Sequence, residues 1–155
     1  MENKKHTSEE LENKIFQLQK EINELRLIQN KNQIDDLKIL IVDDEEIIVM
    51  LISIIVEKYS KEILIAKNGI DAVQICRNNP DIDLILMDIK MPEMDGYEAT
   101  RQIRQFNKEV IIFAQTAFAV TGDKEIAIEA GCNDYVTKPF NDNSFTELIN
   151  KYFNK

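Results

Sequence analysis

The sequence predicts a doubly wound α/β domain, with a parallel sheet between two layers of helices. Short apolar runs without polar alternation recur along the chain, as strands buried on both faces require. Between the runs lie longer stretches that begin with helix-capping side chains. Five such strand–helix pairs follow one another in roughly the last 120 residues, the pattern of an alternating fold.

The elements follow in order. Residues 1–36 contain no Gly and no Pro, and their apolar residues fall at Leu11, Ile15, Leu18, Ile22 and Leu25. That spacing is a heptad with isoleucine at a and leucine at d, the arrangement of parallel two-stranded coiled coils. Glu21 and Arg26 then occupy g and e positions, where they attract each other across two strands. The next seam residues are Gln29 and Asn32, so the stripe covers little more than two heptads. Two readings stay open: a homodimeric coiled coil through residues 8–32, or a single amphipathic helix that leads into the domain.

From Leu37 onward the strand runs begin. Lys38-Ile39-Leu40-Ile41-Val42 ends at Asp43, Asp83-Leu84-Ile85-Leu86-Met87 ends at Asp88, and Val110-Ile111-Ile112-Phe113-Ala114 ends near Thr116. Two weaker runs are Ile63-Leu64-Ile65-Ala66 and Asp134-Tyr135-Val136, the latter reaching Lys138. Asn68 stands three residues before Asp71 and Asp95 three before Glu98, which marks two helix starts. Asp142 or Asn143 would start the last helix, over residues 144–152. The first helix of the domain is unusually apolar, since only Ser53 is polar within residues 47–56. A surface helix should carry a polar stripe, so this one is either more deeply buried than usual or exposes a docking patch.

Charge narrows the function classes. With 28 Asp and Glu against 19 Lys and Arg, the net charge is -9, which opposes binding to nucleic-acid backbones. The apolar runs are far shorter than the roughly 20 residues that span a membrane. The first ten residues are polar and unlike a secretory signal, and the two cysteines, Cys76 and Cys132, fit no disulfide or metal spacing. These features predict a soluble cytoplasmic protein without nucleic-acid or membrane partners. His6, the single histidine, lies in a polar tail and reads as a solvated residue.

In open α/β sheets, ligands bind beyond the carboxyl ends of the strands. A flavodoxin-like strand order of 2-1-3-4-5 makes strands one and three neighbours. Asp43 and Asp44 then stand beside Asp88, with Thr116 and Lys138 one and two strands further on. Crowded carboxylates call for a hard, oxygen-seeking cation such as Mg²⁺. The set suits a phosphoryl group held through Mg²⁺, lysine and hydroxyl, with a carboxylate as nucleophile.

Four stretches carry a specific resemblance: Val42-Asp43-Asp44-Glu45, residues 87–96 around Met87-Asp88 and Met94-Asp95-Gly96, Thr116-Ala117, and residues 134–140 around Thr137-Lys138-Pro139-Phe140. In order and spacing, residues 37–155 resemble the receiver domain of two-component response regulators. Residues 112–139 are most similar to the receivers of hybrid sensor histidine kinases. The resemblance implies that Asp88 is the phosphoacceptor of a phosphorelay and takes its phosphoryl group from a histidine kinase or a histidine phosphotransfer protein. It implies that Asp44 and Asp88 bind Mg²⁺ directly, that Asp43 helps through water, and that the Lys90 backbone carbonyl completes the site. Lys138 would bond a phosphoryl oxygen, with a cis peptide before Pro139. Thr116 and Tyr135 would form the switch, read out on the surface of helix 4, strand 5 and helix 5 of the domain, which is also a second candidate dimer surface. The helical bundle that carries the donor histidine would dock on the apolar first helix.

Lys90 and Phe118 sit where phosphoryl lifetime is tuned in the family. Phe118 would restrict the attacking water. Beyond self-catalysed phosphotransfer and dephosphorylation, the resemblance implies no separate enzyme activity. The chain ends at Lys155 just after the last helix, which suits a stand-alone receiver or the receiver part of a hybrid kinase. Two other classes compete: a Mg²⁺-dependent aspartyl-phosphate phosphohydrolase and a pseudo-receiver that only binds. The first would want an acid two residues after its nucleophile, where this chain has Lys90. A flavin binder is disfavoured because Asp43-Asp44-Glu45-Glu46 would repel the phosphate.

Overall fold

A computed structural model describes residues 7–31, 33–117, 121–139 and 141–154. The chain divides into two compact units, Met1–Gln33 and Ile34–Lys155. His6, Phe118 and Phe140 lie outside the described residues.

The first unit is helix α1, Ser8–Lys31, 24 residues and therefore about 36 Å long. Thr7 and Glu10 form a reciprocal capping box at its start. The Glu10 N–H donates to Thr7 Oγ1 at 3.3 Å, and the Thr7 N–H donates to Glu10 Oε2 at 3.2 Å. Its seam residues Leu11, Ile15, Leu18, Ile22 and Leu25 are all exposed.

In the second unit, strands β1 (Leu37–Val42), β2 (Ser60–Ala66), β3 (Leu84–Asp88), β4 (Ile111–Thr116) and β5 (Asp134–Thr137) form one sheet in the order β2-β1-β3-β4-β5. Every pairing is parallel. Helices α2 (Glu46–Val56), α3 (Gly69–Asn78), α4 (Gly96–Phe106), α5 (Asp123–Ala130) and α6 (Asp142–Phe153) follow the strands in turn. This is the predicted fold, and α5, β5 and α6 are the helix 4, strand 5 and helix 5 of the domain.

Strand alternation divides the core into two layers. Leu40, Val42, Ile85, Met87 and Ile112 pack with Ala72, Ala99 and Ala127 from α3, α4 and α5. Ile39, Ile41, Leu84, Leu86 and Phe113 pack with Val49 and Ile52 of α2 and with Phe145 and Ile149 of α6. The central strands are buried along their whole length, as an uninterrupted apolar run requires. Strand β2 is longer than its apolar run because it lies at the sheet edge, where Ser60 and Glu62 pair with Leu37 and Lys38 of β1, with exposed Lys61 at the register shift between them. Ile65, within the apolar part of β2, is exposed for the same reason.

One helix start differs from expectation. The cap of α6 is Asn141, whose side chain accepts the Ser144 N–H at 2.9 Å, rather than Asp142 or Asn143. Asp142 enters the first turn and pairs with Lys58 at 2.8 Å. The cap residue of α2 is Glu45, without a side-chain cap bond. Asn68 and Asp95 cap α3 and α4 as expected.

The β3–α4 loop contains Glu93 at φ 68°, a left-handed conformation that favours glycine. Glu93→Gly is expected to raise stability by about 0.5 kcal/mol, the strain relieved less the entropy added to the unfolded chain. Thermal denaturation measures it, and a loss instead would mean that the Glu93 side chain holds the loop.

Candidate phosphoryl-transfer site

The sheet delivers the expected residues to one edge. Asp43 follows β1, Asp88 ends β3, Thr116 ends β4 and Lys138 follows β5. Backbone bonds between these ends fix their heights. The Asp43 N–H donates to the Ala66 carbonyl at 3.1 Å, Ile89 N–H to Gln115 at 3.2 Å, and Lys138 N–H to Thr116 at 2.6 Å. The Lys138–Pro139 peptide is cis. At its other end β5 is held by Arg104, which donates to the Gly131 carbonyl and to Asn133 Oδ1, both at 2.8 Å.

Carboxylate oxygens of Asp43, Asp44 and Asp88 lie within 4.8 Å of one another. Asp43 and Asp88 are buried, and Asp44 faces water. Lys138 Nζ reaches across the end of β4 to Asp43 Oδ2 at 2.5 Å and Asp88 Oδ1 at 3.2 Å. Asp43 Oδ1 accepts the Glu45 N–H at 2.9 Å, so both oxygens of this wholly buried carboxylate are engaged. Burial, and then the Asp43 charge, push the Asp88 carboxyl up to about 6, against the pull of Lys138. Burial pulls the Lys138 ammonium down, but its bond to Asp43 and the Asp88 charge outweigh this and hold it above its ordinary value. Three carboxylates against one ammonium leave the cluster short of positive charge, and every side-chain donor is oxygen. That set fits a hard divalent cation.

Thr116 is buried, and its side chain hydrogen-bonds Tyr135 on β5, which is half-buried. Burial, then the Asp123 charge, raise the Tyr135 phenol above its ordinary value. Lys90 is exposed beside the site. Both cysteines are free and buried, and burial pushes the Cys76 thiol up to about 12.

A cavity of about 570 Å³ opens from Asp88, Thr116 and Lys138 toward α2, whose Ile48, Leu51, Ile52 and Ile55 form an apolar wall. On α2, Val49 and Ile52 are buried, and Ile47, Met50, Leu51 and Ile54 are exposed. Sequence reasoning missed this cavity and also Gln115, a wholly buried polar residue next to Thr116. A glutamine closing the apolar strand Ile111–Thr116 was the available signal.

Residues 39–150 match the response regulator receiver domain. The chain belongs to that family. The response regulator DivK of Brucella anthropi is 34% identical over 116 residues, covering 74% of this chain and 94% of its own. The receiver domain of Ssk1, solved in complex with the histidine phosphotransfer protein Ypd1 of Saccharomyces cerevisiae, is 34% identical with a TM-score of 0.70, covering 77% of this chain and 90% of its own. The receiver domain of the sensor histidine kinase PA1611 of Pseudomonas aeruginosa, solved with magnesium coordinated in its active-site cleft, is 33% identical with a TM-score of 0.66, covering 75% and 96%. The chain also matches two full-length histidine kinases, spanning 13% of the length of each. It is therefore a receiver domain of two-component signalling, similar both to free-standing regulators and to receivers within hybrid kinases. Among the described residues, no helix is long and apolar enough to cross a membrane.

Proposed function

We propose that Asp88 is the phosphoacceptor of this receiver and that its donor is a phosphohistidine on a kinase or phosphotransfer protein. The observation that carries the reading is the convergence of Asp88 with Asp43, Asp44, Lys138 and Thr116 at one sheet edge. A carboxylate oxygen of Asp88 attacks phosphorus, the phosphorus–nitrogen bond breaks, and its electron pair returns to the donor imidazole. Asp43, Asp44, Asp88 and the Lys90 carbonyl would hold Mg²⁺, which supplies charge neutralisation to the transferring group. Lys138 moves from a carboxylate partner to a phosphoryl oxygen and does the same from the other side. Dephosphorylation is self-catalysed at the same site. An acid two residues after Asp88 would favour a phosphohydrolase, and Lys90 occupies that position.

The added dianion draws the Thr116 hydroxyl from Tyr135, and the freed ring re-packs against the α5–β5–α6 surface. The donor docks on α2, whose exposed Ile47, Met50, Leu51 and Ile54 adjoin the cavity that leads to Asp88. The same chemistry serves a free-standing receiver and the receiver of a hybrid kinase. A cytoplasmic location fits the two free, buried thiols. Intact-mass measurement after incubation with acetyl phosphate tests the central claim. A single phosphoryl adduct is expected with Mg²⁺ and neither without it nor in Asp88→Asn. No adduct on the wild-type protein would make this a binding-only pseudo-receiver.

The N-terminal unit adds a second partner, another copy of this chain. The exposed Ile and Leu seam of α1 and the Glu21–Arg26 complementarity support a parallel coiled-coil dimer, with the α5–β5–α6 surface as a second candidate. Sedimentation over a concentration series is expected to give a dimer that Ile15→Asp with Ile22→Asp converts to monomer. A dimer unaffected by this pair would move the interface to α5–β5–α6, and a wild-type monomer would remove it.

A further inference from the structure

We propose that Gln115 is a positioning residue of the phosphoryl site, whose side-chain amide comes to donate a hydrogen bond to the carboxyl group of Asp88 once Asp88 is phosphorylated, and so shortens the life of the acyl phosphate. This rests on the reading of Asp88 as phosphoacceptor. Gln115 has no exposed surface, and neither Nε2 nor Oε1 has a hydrogen-bond partner among the described residues. Leaving a buried amide unpaired costs about 1–3 kcal/mol, and an apolar side chain would close β4 without that cost. A fold that keeps glutamine here carries a liability that packing alone does not account for.

The register places this amide beside the reacting group. Gln115 is the direct partner of Asp88 on β3 and of Val136 on β5. Two residues earlier, Leu86 pairs with Phe113, and both belong to the core layer under α2 and α6. Because side chains alternate, Asp88 and Gln115 project to that same face from strands about 4.8 Å apart. Lys138, two residues beyond Val136, reaches over the end of β4 to Asp88 Oδ1. The glutamine thus occupies the strand position beside Asp88 and one step below Lys138, and its N–H donors have no partner among the described residues. Lys138 is the partner that phosphorylation draws away to a phosphoryl oxygen, and the amide is the donor then left beside the carboxyl group.

The direction of the effect follows from where charge develops. In phospho-Asp88 one carboxyl oxygen is esterified and the other is a weakly charged acyl oxygen. On hydrolysis water attacks phosphorus, the phosphorus–oxygen bond breaks, and the electron pair returns to the Asp88 carboxylate while inorganic phosphate leaves. Negative charge therefore grows on the carboxyl oxygens, and a donor aimed at them stabilises the transition state more than the acyl phosphate. One neutral hydrogen bond of this kind is worth about threefold to tenfold in rate.

The test uses the full chain loaded with acetyl phosphate and Mg²⁺, freed of donor, and followed by intact mass. Gln115→Met, similar in length and without a donor, is expected to label fully and to lose its phosphoryl group about threefold to tenfold more slowly than wild type. In wild-type protein the Gln115 side-chain NH₂ resonance is expected to shift on phosphorylation or on addition of beryllofluoride. An unchanged half-life in a Gln115→Met protein of higher melting temperature would overturn the proposal and leave the amide a packing defect. Should Gln115→Met not fold, an unmoved NH₂ resonance in the wild type overturns it alone. Absence of any wild-type label is a different result and would sink the phosphoacceptor reading instead.

Discussion

Gly96→Ala is expected to cost about 3 kcal/mol or more, a large share of the stability of a domain this size. Gly96 begins α4, and its N–H donates to the Ile89 carbonyl at 2.9 Å. A Cβ built there would lie 2.2 Å from the Asp88 carbonyl oxygen and 3.0 Å from Ile89 Cα. Both obstacles are backbone, so no rotamer change can clear them. Either α4 withdraws from the sheet or the end of β3 moves, and the carbonyl displaced belongs to the proposed phosphoacceptor. Gly122 offers the control: it has φ 96° but open space around it, so its alanine variant carries only backbone strain, about 1–2 kcal/mol. Urea denaturation of both variants measures the difference. A Gly96→Ala loss no larger than that of Gly122→Ala would mean that helix and strand are not held this close.

Why some features were legible in the sequence and others were not can be traced residue by residue. Strands β1 and β3 were readable because a centre strand of a parallel sheet is apolar on both faces, and Ile39 to Val42 and Leu84 to Met87 are all buried. Asp43, Asp88 and Lys138 were readable for the complementary reason, as charged residues that end such runs. The limits of β2 were not, because its first residues take their place from pairing with β1 rather than from burial. The cap of α6 was also missed: Asn141, Asp142 and Asn143 are chemically equivalent candidates, and the extended backbone at Asn141, with φ -102° and ψ 170°, makes it the cap. The apolar character of α2 posed a question that only the packing answers, since Val49 and Ile52 are buried while Ile47 and Ile54 are not. Gln115 was hidden by its setting, where one polar residue before a recognised threonine looks like the ordinary end of a strand.

Lys138→Met is expected to lower stability by about 3 kcal/mol near neutral pH without Mg²⁺, because it leaves Asp43 and Asp88 buried with no cation between them. Methionine keeps most of the aliphatic stem, so the loss reports charge more than volume. Its pH dependence identifies the cause. In the wild-type protein the Asp88 carboxyl sits at about 6, above the value of about 3.9 for an unfolded aspartate. Between those values the folded state binds more protons than the unfolded one, so this group adds stability as pH falls through the window and withdraws it as pH rises. Removing the ammonium raises the carboxyl further and extends that window upward, so the variant regains most of its loss at about pH 5. Asp88→Asn on the Lys138→Met background should restore stability at neutral pH, a non-additivity that a lost packing contact cannot produce. Phosphorylation by acetyl phosphate should fall about 10²–10³-fold in Lys138→Met even with Mg²⁺ present, since one of the two charges facing the transferring group is gone. A stability loss that is flat with pH and unchanged by Asp88→Asn would assign Lys138 to packing and leave the site without its proposed electrostatic design.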